Sequence, residues 1–87
     1  MNNYMKSNAE KQKKFEKLLS KTLKRTAQEV RDARIKKNLT QVELAENTGI
    51  NDRTIQMFES GSHWIGLKNY LIICHELDIE FRHFDKN

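Results

Sequence analysis

Proline is absent from the 87 residues, and glycine occurs only three times. A chain so poor in helix breakers fits an all-helical domain with short connections. β-Branched residues are scattered rather than alternating, so no strand is predicted in the body of the chain. There is one cysteine, Cys74, which excludes an intramolecular disulfide framework and suits a reducing cytoplasm. No apolar run approaches the roughly 20 residues needed to cross a bilayer, so no membrane partner is expected. Lys6 lies near the start, but no apolar core of a signal peptide follows it, and a cytoplasmic location is expected. The histidines His63, His75 and His83 make no metal-ligand spacing with Cys74, and no Gly-rich phosphate loop is present. No catalytic residues, metal or cofactor are therefore expected, and the chain does not read as an enzyme. The length allows one small domain with one compact core.

What is present is an uneven charge distribution. The formal net charge is +4. Residues 1–25 hold eight Lys/Arg against Glu10 and Glu16, a balance of +6, whereas residues 26–87 hold eight basic and ten acidic residues, a balance of −2. The basic character belongs to the N-terminal segment. Residues 1–8 are polar and aperiodic and read as a frayed end. From about Ala9 to Arg25, Phe15, Leu18, Leu19, Thr22 and Leu23 follow the i, i+3, i+4, i+7, i+8 rule of a helix with lysines around the rest of the cylinder. From about Thr26 to Lys37 the apolar positions are Ala27, Val30, Ala33 and Ile35. No Gly or Pro separates these segments; the T-x-x-E pair Thr26 and Glu29 favours a new start or a bend. The chain divides on this reading into a basic amphipathic helical extension, residues 1–25, and a domain of residues 26–87.

The stretch Thr40 to Gly61, TQVELAENTGINDRTIQMFESG, carries the most information. Asn38 is a candidate left-handed cap ahead of it. Thr40 and Glu43 make a capping box, each side chain satisfying the other's backbone N–H. Gly49 supplies the positive φ of a tight turn. Asn51 caps the next helix, whose buried stripe is Ile55 and Phe58, and Gly61 stops it. Two short capped helices joined by a tight turn are the layout of a helix-turn-helix, which places its second helix in the DNA major groove. After the loop Ser62 to Gly66, a further helix is predicted from about Leu67 to Leu77. Phe81 and Phe84 point to a short fifth helix, with Ile79, Phe81 and His83 also compatible with a short strand. Leu44, Ala45, Ile55, Phe58, Leu71 and Cys74 are the expected core. Glu59 is a candidate structural partner for a cation such as Arg34.

Over about residues 26–85 the chain resembles the Cro/XRE family of phage-repressor-like helix-turn-helix proteins. The signposts are Thr40-Gln41, Leu44-Ala45, Gly49-Ile50, Thr54-Ile55 and Glu59-x-Gly61, with Leu39 to Leu77 fitting without a gap. The resemblance implies an all-α, lambda-repressor-like bundle of about five helices, here with an extra basic N-terminal helix. It departs from the family at Ile65, where many members have proline, at Gln56 and Met57 in mid-helix, and at the acidic Asp52. The family's docking mode implies that Asp52, Arg53, Thr54 and Met57 face base edges, with Gln56 nearer the rim. Arg53 has the geometry for guanine O6 and N7, Asp52 for cytosine N4, and Thr54 and Met57 for a thymine methyl. Asp52 is equally accounted for as an acidic residue favoured by the helix dipole. Phosphate contacts are expected from Gln41, Asn51, Lys36, Lys37 and Ser60.

These residues predict a sequence-specific DNA-binding regulator, by family default a repressor, acting as a homodimer on a double-stranded operator. Candidate dimer surfaces are Ile79, Phe81 and Phe84, or the stripe Phe15, Leu18, Leu19 and Leu23. The alternative, also implied by the family, is an antitoxin that binds a toxin protein and represses its own operon, with the basic N-terminal helix as the toxin-binding element. Trp64 fits the core edge, an interface or a DNA backbone contact. The lysines of the first helix read by default as a solvated face.

Overall fold

The computed structural model describes the backbone of residues 2–80 and the side chains of residues 8–80. Four α-helices make up the described residues: α1 (Asn2–Lys36), α2 (Gln41–Thr48), α3 (Asp52–Glu59) and α4 (Leu67–Leu77). The expected fifth helix at Phe81 and Phe84, and the alternative strand through His83, lie outside the described residues.

α1 differs most from expectation. It starts at Asn2, ahead of the predicted Ala9, and runs unbroken through Thr26 to Lys36. Thr26 does not cap a new helix: its Oγ1 donates back to the Thr22 carbonyl at 2.7 Å, as Thr22 Oγ1 does to Leu18 at 2.8 Å. Back-bonding of this kind satisfies a threonine inside a helix. The reason for continuity is the phase of the buried residues. Leu23, Ala27 and Val30 are all buried, and their i, i+4, i+7 spacing makes one stripe across the expected break. The predicted apolar positions flanking this stripe fare differently: Phe15, Leu18, Leu19 and Ile35 are exposed.

The core sits where α3 and α4 pack against both α1 and α2. Leu44, Ile55, Phe58, Ile73 and Cys74 are fully buried, with Ile50, Ile65 and Leu77 at their edges. Ala45 packs against this cluster half-buried. Leu71, expected in the core, is only half-buried and lines an open apolar groove with Leu67, Ile72 and His75; α4 turns Ile73 inward instead. Burial also pushes the Cys74 thiol pKa above its ordinary value, which keeps it protonated at neutral pH. Phe58 meets Tyr70 edge-on at 6.3 Å and the half-exposed Trp64 at 6.4 Å between ring centroids.

Candidate nucleic-acid interface

The turn that presents α3 is built from local hydrogen bonds. Thr40 Oγ1 accepts from Glu43 N at 3.0 Å, and Glu43 Oε1 accepts from Thr40 N at 2.9 Å, so two donors left over at the start of α2 are satisfied reciprocally. These same bonds hold the Glu43 carboxyl below its ordinary pKa. Asn38 and Gly49 take the left-handed conformation, with φ of 59° and 74°, and the Gly49 N–H closes α2 on the Ala45 carbonyl at 2.8 Å. Asn51 Oδ1 accepts from Arg53 N at 2.9 Å. Ser60 caps the far end, its N–H donating to the Gln56 carbonyl at 3.0 Å, and Gly61 leaves the helix with φ of 80°.

One buried carboxylate fixes the orientation of the pair. Glu59 is 2% exposed. Arg34 donates to it through two nitrogens, each at 2.8 Å, and to the Leu39 carbonyl at 2.7 Å. Gln41 Nε2 donates to the same carboxylate at 3.2 Å. The fork geometry of a guanidinium on a carboxylate is strong and directional, and the pairing raises the Arg34 pKa further. α1, α2 and α3 thus converge on the Glu59 carboxylate, Arg34 ties the α1–α2 connection to it through the Leu39 carbonyl, and no buried side-chain N or O among the described residues lacks a partner. The sequence pointed to this pairing of Glu59 with Arg34. It gave no hint of Arg31, whose Nη1 donates to the Glu59 carbonyl at 3.1 Å and whose other terminal nitrogen bonds Gln28 Oε1.

With Ile55, Phe58 and Glu59 turned inward, α3 offers solvent a ridge of Arg53, Gln56 and Ser60, with Met57 half-buried beside it. Gln56, expected at the rim, shares the outward face with Arg53 three residues on. Asp52 and Thr54 are half-buried on the flanks, and among the described residues Asp52 makes no ion pair with Arg53. Gln41, at the first turn of α2, spends one amide proton on Glu59; its second amide proton remains for an outside acceptor. Asn51 and Ser60 are exposed at the two ends of α3, with Ser60 Oγ donating to the Met57 carbonyl at 2.6 Å. Lys36 and Lys37 are not brought to this face. They line a groove with Ala33, Leu77, Asp78 and Ile79, and Lys37 Nζ is held by Asp78 Oδ2 at 2.5 Å and the Glu76 carbonyl at 3.2 Å.

A helix-turn-helix family model matches residues 30–84. The chain belongs to the Cro/C1-type helix-turn-helix family. As a member it is a DNA-binding regulator of transcription. The family match begins at residue 30, inside α1, so the basic segment of residues 1–25 lies outside the family's shared unit. No curated protein and no solved structure matches the chain. No described helix is long and apolar enough to cross a membrane, and no cluster of three potential metal ligands occurs among the described residues.

Proposed function

We propose that this helix-turn-helix protein is a sequence-specific repressor that binds an inverted-repeat operator as a homodimer, reading bases with α3. The observation that carries this reading is the exposed Arg53–Gln56–Ser60 ridge of α3, with Met57 half-buried beside it, presented by a turn capped at both helix starts. Arg53 stands in the first turn of α3, where side chains of such helices meet base edges. It donates two parallel hydrogen bonds to a guanine; Asp52, Thr54 and Met57 read the neighbouring positions. Gln41, Asn51 and Ser60 border this face and fix the register through phosphates. Lys36 and Lys37, in the groove beside α4, are left out of this reading. Two copies are required because a single α3 of eight residues covers only one half-site.

The test is Arg53→Ala. A bidentate arginine–guanine pair contributes about 1–3 kcal/mol of discrimination, so operator affinity should fall roughly tenfold to a hundredfold while affinity for unrelated duplex changes little. Equal losses on both duplexes would remove Arg53 from base reading.

A second reading, the antitoxin one, is favoured by a separate observation. Phe15, Leu18, Leu19, Trp64 and Leu67 are exposed apolar residues, and Leu19, Trp64, Leu67 and Tyr70 line one groove. Leu23, counted in the same stripe from sequence, is buried in its own domain and is not part of this surface. Apolar surface of this kind serves a protein partner better than a phosphate backbone.

A further inference from the structure

The helix-turn-helix unit is poor in positive charge, yet affinity for duplex DNA depends on cations set against phosphates. Between Thr40 and Gly61 stand four carboxylates and one arginine. Lys37 is engaged by Asp78, away from α3. The reserve of cations is in α1, where seven Lys/Arg side chains stand between Lys11 and Arg25. Among the described residues, none of those seven is in an ion pair.

These cations are not equivalent, because two contacts define which side of α1 turns toward the end of α3. Arg31 donates to the Glu59 carbonyl at 3.1 Å. About two helical turns further toward the N-terminus, Lys24 lies against Gly61: its Cγ is 3.4 Å from where a β-carbon on that glycine would stand. At 3.6 residues per turn, Lys13, Lys17 and Lys24 fall within about 40° of Arg31 around the cylinder. They form a basic ridge that starts where the exposed face of α3 ends, at Ser60 and Gly61. Lys11, Lys14 and Arg25 instead border Leu18 at i±4 and i±7 spacings, next to the apolar stripe. A lysine face on a helix is usually only solvated; this one is singled out by its register with the end of the reading helix.

We infer that Lys13, Lys17 and Lys24 bind the phosphate backbone of the duplex flanking the bases read by α3, and supply much of the electrostatic part of operator affinity. The inference rests on the DNA-binding reading above. From Lys24 to Lys13 the helix covers about 16 Å, enough to follow several phosphates of one strand.

The experiment compares two variants of the full chain that lose equal charge. One is Lys13→Gln, Lys17→Gln and Lys24→Gln together; the other is Lys11→Gln, Lys14→Gln and Arg25→Gln together. Glutamine keeps helix propensity at exposed sites, and far-UV circular dichroism confirms that both fold. Operator affinity is measured against salt, on duplex carrying ten flanking base pairs (about one turn) on each side. The ridge variant should lose about 2–3 units of the log–log salt slope and bind roughly 30-fold more weakly near 0.15 M salt. The control variant should change far less, and the base preference of both should match wild type. Equal weakening of the two variants, or no weakening of either, overturns the ridge and leaves the DNA reading intact. Failure of the wild-type protein to bind any duplex overturns both.

Discussion

Glu59 shows what a single residue can decide in so small a domain. Its carboxylate is the common acceptor for Arg34 and Gln41, and only 1% of its side-chain surface is exposed, against 12% for Arg34. Removing one partner of a buried pair leaves an uncompensated charge, at a cost of about 3–5 kcal/mol. Small domains have only about 5–15 kcal/mol of total stability. Glu59→Ala should therefore bring the protein close to its unfolding limit in urea denaturation. Removing both charges, as Arg34→Met with Glu59→Leu, should recover much of that loss, because well-packed apolar pairs replace buried ion pairs at little cost. A double variant no more stable than Glu59→Ala would show that the arginine's other bond, to the Leu39 carbonyl, matters more than the pair. The pairing was legible from sequence because Glu59 follows Ile55 and Phe58 on the inward face of α3, where a carboxylate needs a cation. The inward commitment of Gln41 was not, since nothing local distinguishes a side chain that caps a core carboxylate from one that meets a phosphate.

At the scale of elements, the caps contribute to the acid sensitivity of the fold. The Glu43 carboxyl, ordinarily near 4.5, is held lower by its bonds to Thr40. Asp78, ordinarily near 3.8, is held lower by Lys37. Both folded pKa values lie below the unfolded ones, so their stabilisation is complete above about pH 4.5 and is lost as pH falls through the folded values. Tm measured from pH 6 down to pH 2.5 should decline most steeply below pH 4.5. Glu43→Gln, which preserves the capping box without a titrating group, should flatten that decline; an unchanged acid limb would place its origin elsewhere. The caps at Thr40, Gly49 and Asn51 were readable from sequence because each is satisfied by neighbours within a few residues. The same T-x-x-E signal at Thr26 misled, because the tertiary stripe Leu23–Ala27–Val30 outweighs a local box. Which face of α4 turns inward, Leu71 or Ile73, was likewise decided by packing and not by periodicity alone, since apolar residues occupy most of that helix.

At the scale of the molecule, the protein separates two tasks along its length. The unit from Leu23 to Leu77 holds α3 in a fixed orientation by one core and one buried carboxylate. Residues 1–25, at the N-terminal side of α1, carry a net charge of +6, and this part of the helix exposes an apolar stripe on a different side from its basic ridge. This division accounts for a reading unit that is itself acidic in a chain of net positive charge. On the proposed reading, specificity rests with α3, and the cations of α1 add affinity common to all sequences. The central claim, that α3 reads a defined operator from a symmetric pair, is tested most directly by selecting binders from random-sequence duplex DNA with the purified protein near 0.15 M salt. The account predicts an enriched inverted repeat whose half-sites lie about one helical turn, roughly 34 Å, apart, with a conserved guanine that loses its preference in the Arg53→Ala protein. Recovery of no motif, or of a motif indifferent to Arg53, would contradict it.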